Sequence, residues 1–157
     1  MRSSLLVFIL LFVISCASHK SLVEGFTLVR YKENIPAGDN INQQHYIIDV
    51  PKGGSLEKYR DSHIATEYRI TYPDSSVIYI TNENWGGSRI NWTNRERAKT
   101  LNPPKSIGDT LCLFGTQDDG LYWRDNFMGE MVAGFANVKP AKLHLYERAL
   151  KSLRKYK

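Results

Sequence analysis

The chain has 157 residues, with 21 lysines and arginines against 16 aspartates and glutamates, a formal charge of +5 and 42% hydrophobic residues. That length suits one domain with a proper core. So mild a positive excess, without a basic stripe or a known nucleic-acid-reading motif, argues against nucleic acid as a partner.

The first element is an export signal. Met1-Arg2-Ser3-Ser4 is a short positive region, and Leu5 to Ile14 is an uninterrupted apolar run of ten residues. A helix rises about 1.5 Å per residue and a bilayer core is about 30 Å thick, so a permanent span needs roughly 20 such residues. A signal peptide needs only this much. Val13-Ile14-Ser15-Cys16 then resembles the lipobox of bacterial lipoproteins. The resemblance implies cleavage before Cys16, a diacylglycerol on its thiol and acylation of the new amino group. Several chains anchor stably where one binds marginally. Ala17 and Ser18 follow the cysteine, where an aspartate would imply inner-membrane retention in enterobacteria, so the resemblance implies the cell outer membrane. The absence of acidic residues before Glu24 favours a domain facing the periplasm. With Cys16 acylated, only Cys112 remains, and no intramolecular disulfide can form.

Residues 1–15 are thus expected to be a lipoprotein signal peptide, 16–24 a lipidated tether, and 25–157 one α+β domain. Phe26 to Tyr31 reads as a strand, Asn34 to Gln44 as polar and turn-rich, and Tyr46 to Val50 as a second strand stopped by Pro51 and Gly53-Gly54. Ser55 to Arg60 reads as one or two helical turns. Thr66 to Tyr72 alternates, with Tyr68, Ile70 and Tyr72 on one face and Glu67, Arg69 and Thr71 on the other. Pro73-Asp74-Ser75-Ser76 supplies the turn of a hairpin that returns through Val77 to Thr81.

Asn82 to Pro104 has no sustained period and reads as a long loop with a helical turn near Asn94 to Lys99; loops beyond about 12–15 residues are often functional. Asp109 to Phe114, Gly120 to Asn126 and Gly129 to Val138 read as an antiparallel meander with Asp118-Asp119-Gly120 as a turn. Pro140 opens the clearest helix, where Leu143, Tyr146, Leu150 and Leu153 recur at three- and four-residue spacing. Lys142, Arg148, Lys151, Arg154, Lys155 and Lys157 lie on its other side, either as a solvated face or as a contact for anionic lipid. The expected fold is α+β: mainly antiparallel sheet, about five to seven short strands, with a C-terminal amphipathic helix. The run Gly129 to Phe135 and the terminal basic helix are similar to small uncharacterised lipoproteins of Bacteroidetes, a likeness that implies no activity.

No residue pattern points to catalysis, a metal or a cofactor. His19, His45, His63 and His144 lack metal-ligand spacing, and Asp118 and Asp119 suit a hairpin turn better than a calcium ion. Gly86-Gly87, Ser88 and Ser106 match no nucleophile elbow or phosphate loop. Cys112, within Leu111-Cys112-Leu113-Phe114, reads as a buried strand residue. Asn91-Trp92-Thr93 is an N-glycosylation sequon that carries little weight in most bacteria, and Asp109-Thr110-Leu111 is similar to a Bacteroidetes O-glycosylation site.

The functional candidates are aromatic and basic. Trp85 and Trp92 in the long loop, with Arg89 and Arg95 beside them and Tyr122-Trp123 in the next hairpin, form a possible surface for a glycan or an envelope protein. The alternative is that these aromatics fill the core. The expected function is therefore that of a membrane-anchored envelope lipoprotein, a non-catalytic binding or assembly module, with an unrecognised envelope hydrolase as the competing class.

Overall fold

The computed structural model describes residues 25–37, 40–61, 66–82, 90–91, 93–94, 99–101, 111–129 and 131–156. Residues 1–24, where the signal peptide and the tether with Cys16 are expected, lie outside these. The fold is α+β, mainly antiparallel sheet with one C-terminal helix.

Two long strands, β1 (Phe26–Ala37) and β2 (Asn40–Pro51), pair antiparallel from Phe26↔Pro51 to Ala37↔Asn40. The segment read as turn-rich, Asn34 to Gln44, thus continues both strands. Its polarity misled the reading because a ladder is closed by backbone groups, which every residue but proline supplies in full.

Seven further strands form one sheet: β3 (Ser55–Asp61), β4 (Thr66–Thr71), β5 (Val77–Thr81), β6 (Lys99–Leu101), β7 (Leu111–Thr116), β8 (Tyr122–Met128) and β9 (Met131–Val138). Their spatial order is β3-β4-β5-β9-β8-β7-β6. A 3₁₀ turn at Pro140–Lys142 leads into α1 (Leu143–Ser152), and β10 (Arg154–Lys155) then pairs with β2 through Arg154↔Ile47 and Lys155↔Tyr46.

Ten strand elements among the described residues exceed the expected five to seven because β3, β6 and β10 carry no period of their own. Ser55 to Arg60, read as helical turns, pairs instead with β4, with a bulge between Lys58 and Arg60. Lysine and a bulge are devices that blunt an edge strand, and β3 is an edge of this sheet. Tyr59 is exposed there, with the Arg69 guanidinium 3.2 Å from its ring centroid. The described part of the long loop holds 3₁₀ geometry at 90–91 and 93–94 and then β6.

The hairpin and the meander match their expected positions. Pro73 to Ser76 turns with Ser75 at φ 66°, and Asp74 Oδ1 accepts from the Ser76 amide and hydroxyl at 3.3 and 2.5 Å. In the second turn the Gly120 amide donates to the Gln117 carbonyl and Asp119 Oδ1 accepts from the Leu121 amide.

One face of the large sheet, through Ile70, Ile78, Ile80, Met131, Ala133 and Phe135, packs on Tyr31, Tyr46, Ile48 and Val50 of the small sheet and on Tyr146, Ala149 and Leu150 of α1. Each fully buried side chain of this size contributes about 1.5–3 kcal/mol relative to exposure. The period-two reading of β4 holds for Ile70 and Tyr72, both buried. Its opposite face is also covered: Glu67 is 1% exposed and every residue of β5 is buried.

Candidate functional site

An open groove of about 420 Å³ lies where the end of α1 meets the β8–β9 turn. Three stretches far apart in sequence line it. The first is in β2, where Tyr46 is buried and its hydroxyl donates to Gln44 Oε1 at 2.6 Å, fixing the amide at the wall. The second is the β8–β9 turn, with Met128, Gly129 and Met131. Gly129 takes φ 63°, a left-handed conformation that glycine adopts without steric cost, so the turn stays tight beneath the opening.

The third stretch, Leu153, Arg154 and Lys155, comes from the way α1 ends. Ser152 Oγ accepts from the Asp49 amide at 2.8 Å and lies 2.7 Å from the Ala149 carbonyl, tying the last helical turn to β2. Leu153 then turns extended, at φ −61° and ψ 124°, and its amide donates to the Leu150 carbonyl at 3.3 Å. The helix therefore stops at Ser152, and Arg154 and Lys155, expected on the basic side of the helix, form β10 instead. The Tyr156 amide closes the pairing on the His45 carbonyl.

The cations near this opening differ in their commitments. Arg154 donates to the Ser152 carbonyl at 2.6 Å and to Asp49 Oδ2 at 3.3 Å. Lys155 Nζ lies 5.7 Å from the Tyr46 ring centroid and, among the described residues, pairs with no carboxylate. Elsewhere on the basic side, Lys142 pairs with Asp74 at 2.6 Å and Arg148 sits 5.3 Å from the Phe26 ring centroid. The Asp74 carboxyl is lowered to about 2, chiefly by the hydrogen bond from Lys142 and then by that from Ser76.

A second cluster lies on the far face of the large sheet. Asp125 is fully buried; the Tyr79 hydroxyl donates to its Oδ1, and Asn91 Nδ2 donates to the same oxygen at 2.8 Å and to the Tyr79 hydroxyl at 2.6 Å. A third contact, at 3.3 Å, runs from Asn91 Nδ2 to the Phe135 carbonyl, while Asn91 Oδ1 has no partner among the described residues. Gly134 makes room for this arrangement, since a Cβ there would collide with the Tyr79 ring and the Arg124 carbonyl. Burial pushes the Asp125 carboxyl up to about 8. At 0% exposure the acid touches no solvent, and its geometry holds residues 90–91 against the sheet.

The aromatic candidates fall in different places. Tyr122 and Trp123 are neighbours on β8 and so point to opposite faces. Tyr122 packs on the main core, while Trp123, 2% exposed, joins a smaller cluster with Val77, Ala136, Ile90 and Leu113. The Trp123 indole is thus enclosed and takes the core-filling role. Trp85, Arg89, Trp92 and Arg95 lie outside the described residues. Asn91 of the sequon is 0% exposed, which closes it to a glycan in the folded chain. Cys112 is a buried free thiol, with burial raising its pKa. Among the described residues no three histidine, cysteine or acidic side chains gather to hold a metal, and no helix is long and apolar enough to cross a membrane.

Sequence reasoning missed the groove because its parts meet only through folding. It missed Asp125 too, although an acid at an inward position of an alternating strand is a readable signal. Comparison with protein-family models, with curated proteins and with solved structures finds no match.

Proposed function

We infer that this chain is a membrane-anchored envelope lipoprotein whose role is to bind or assemble rather than to catalyse. The lipobox ending in Cys16 supports attachment by acyl chains to the outer membrane, with the domain facing the periplasm. The observation that carries the binding role is the groove: an open concavity with thioether and aliphatic walls and a cation at its mouth. Pockets of about 300–1,000 Å³ with apolar lining and a few placed polar groups are the usual form of ligand sites. Methionines suit such a surface, because the flexible, polarisable thioether adapts to different occupants. The titratable clusters offer less to a substrate: Asp125 is sealed, and Ser76, 1% exposed, has its hydroxyl between Asp74 and Tyr146.

Quantitative affinity purification of the full chain from its own envelope, beside Met128→Glu and Cys16→Ser variants, tests the reading. It expects a defined envelope component that is retained by the wild type, lost with Met128→Glu, and lost or displaced from membrane fractions with Cys16→Ser. Capture indifferent to the groove, or turnover of an envelope polymer by the purified chain, would contradict it.

A further inference from the structure

The groove's lining is of two kinds, and the difference narrows what can enter. Met128, Met131 and Leu153 offer only thioether and aliphatic surface. Gln44, Arg154 and Lys155 place the hydrogen-bonding and charged groups with β2 and β10. An extended peptide laid along such a wall would leave backbone N–H and C=O groups against carbon and sulfur, at a cost of about 1–3 kcal/mol for each unpaired group. A hydrocarbon chain has no such groups to lose.

The charge at the mouth is as selective. Arg154 is already shared between Asp49 and the Ser152 carbonyl, whereas Lys155 Nζ pairs with no carboxylate among the described residues. Its side chain is exposed, and the Tyr46 ring lies beneath it. An anionic head would meet this ammonium while its stem lay on Met128 and Met131; a cationic head would meet repulsion from both Lys155 and Arg154.

We propose that the groove is a site for a single-chain anionic amphiphile, of the fatty-carboxylate kind, with its carboxylate at Lys155 and its chain along Met128, Met131 and Leu153. This rests on the binding reading above and names its ligand class. It gives the chain a lipid contact distinct from the acyl anchor at Cys16, and one that a folded surface controls.

The test is photolabelling of the full chain in bilayer nanodiscs of zwitterionic lipid, with a diazirine analogue of palmitate and the matching analogue of hexadecanol. The palmitate probe labels Met128–Met131 and Leu153–Lys155 and is competed by unlabelled palmitate. Lys155→Glu lowers that labelling roughly fivefold, as expected for one partly exposed charge contact, and leaves labelling by the hexadecanol probe unchanged. Because the Lys155 side chain is exposed, the variant keeps its fold, which circular dichroism checks. Equal labelling by both probes in the wild type, adducts scattered away from the groove, or displacement of the probe by an acidic peptide but not by palmitate would overturn the proposal. Failure of labelling with groove-dependent partner capture intact removes this inference alone. Labelling as described with no groove-dependent capture removes the assembly role and leaves the lipid site.

Discussion

The two faces of the seven-stranded sheet are built on different physics. The face toward α1 and the small sheet is closed by aliphatic and aromatic side chains, with Ile78 and Ala133 at 0% exposure and Phe135 at 1%. The far face is buried as deeply, but it holds Glu67, Tyr79, Thr81 and Asp125 among its inward residues, with Asn91 clamped upon Tyr79 and Asp125. Apolar burial has no titratable component, whereas a buried polar cluster stabilises only while each member keeps its partner and its protonation state. One face should therefore set how stable the domain is, and the other how that stability responds to its surroundings.

The contrast can be broken in order of effect. Phe135→Ala, which empties the centre of the apolar face, should cost about 3–5 kcal/mol in urea unfolding. Asp125 comes next. Its folded carboxyl titrates at about 8 rather than the ordinary 3.8, so between those values the native state keeps a proton that the unfolded chain has lost. Its contribution to stability should then be full below about pH 4 and fall as pH rises from about 4 to about 8, levelling above, by a few kcal/mol in all, while the lowered Asp74 carboxyl acts in the opposite sense below about pH 4. Asp125→Asn should flatten that slope, and Phe135→Ala should leave it in place. Asn91→Ala should cost about 1–3 kcal/mol by removing the amide that donates to the Tyr79 hydroxyl and Asp125 Oδ1, with faster hydrogen exchange at 90–91. Lys142→Ala, which removes an ion pair on a half-exposed lysine, should cost less than about 1 kcal/mol.

How much of this was legible in the sequence depended on whether an element carries its own period. The β4–β5 hairpin alternates cleanly around Pro73 and Asp74, β7 and β8 flank Asp118-Asp119-Gly120, and α1 repeats its apolar residues from Leu143 to Leu150; all stand where the pattern put them. Ser55 to Asp61 has no β-branched residue, and only pairing with β4 makes it a strand. Arg154 and Lys155 looked helical because Leu153 continued the helical spacing, yet Ser152 capping Asp49 ends the helix first. Tyr122 and Trp123 show the converse. Once β8 is a strand, adjacent residues cannot share a face, so the strand assignment already divided that part of the aromatic surface. The groove was invisible for a simpler reason: Gln44, Met128 and Lys155 are ordinary residues whose proximity is a property of the fold.

The proposed ligand site is the groove and not the exposed sheet edge at β3. The most direct measurement places a photoreactive phenylalanine at Leu153, in the groove wall, or, as a control, at Tyr59 on β3, in the full chain in its native envelope, with Lys155 left in place. Crosslinks at position 153 that fade when the groove is charged by Met128→Glu, with none at position 59, are the predicted result. Equal crosslinking at both positions, or crosslinks at 153 that ignore Met128→Glu, would contradict it.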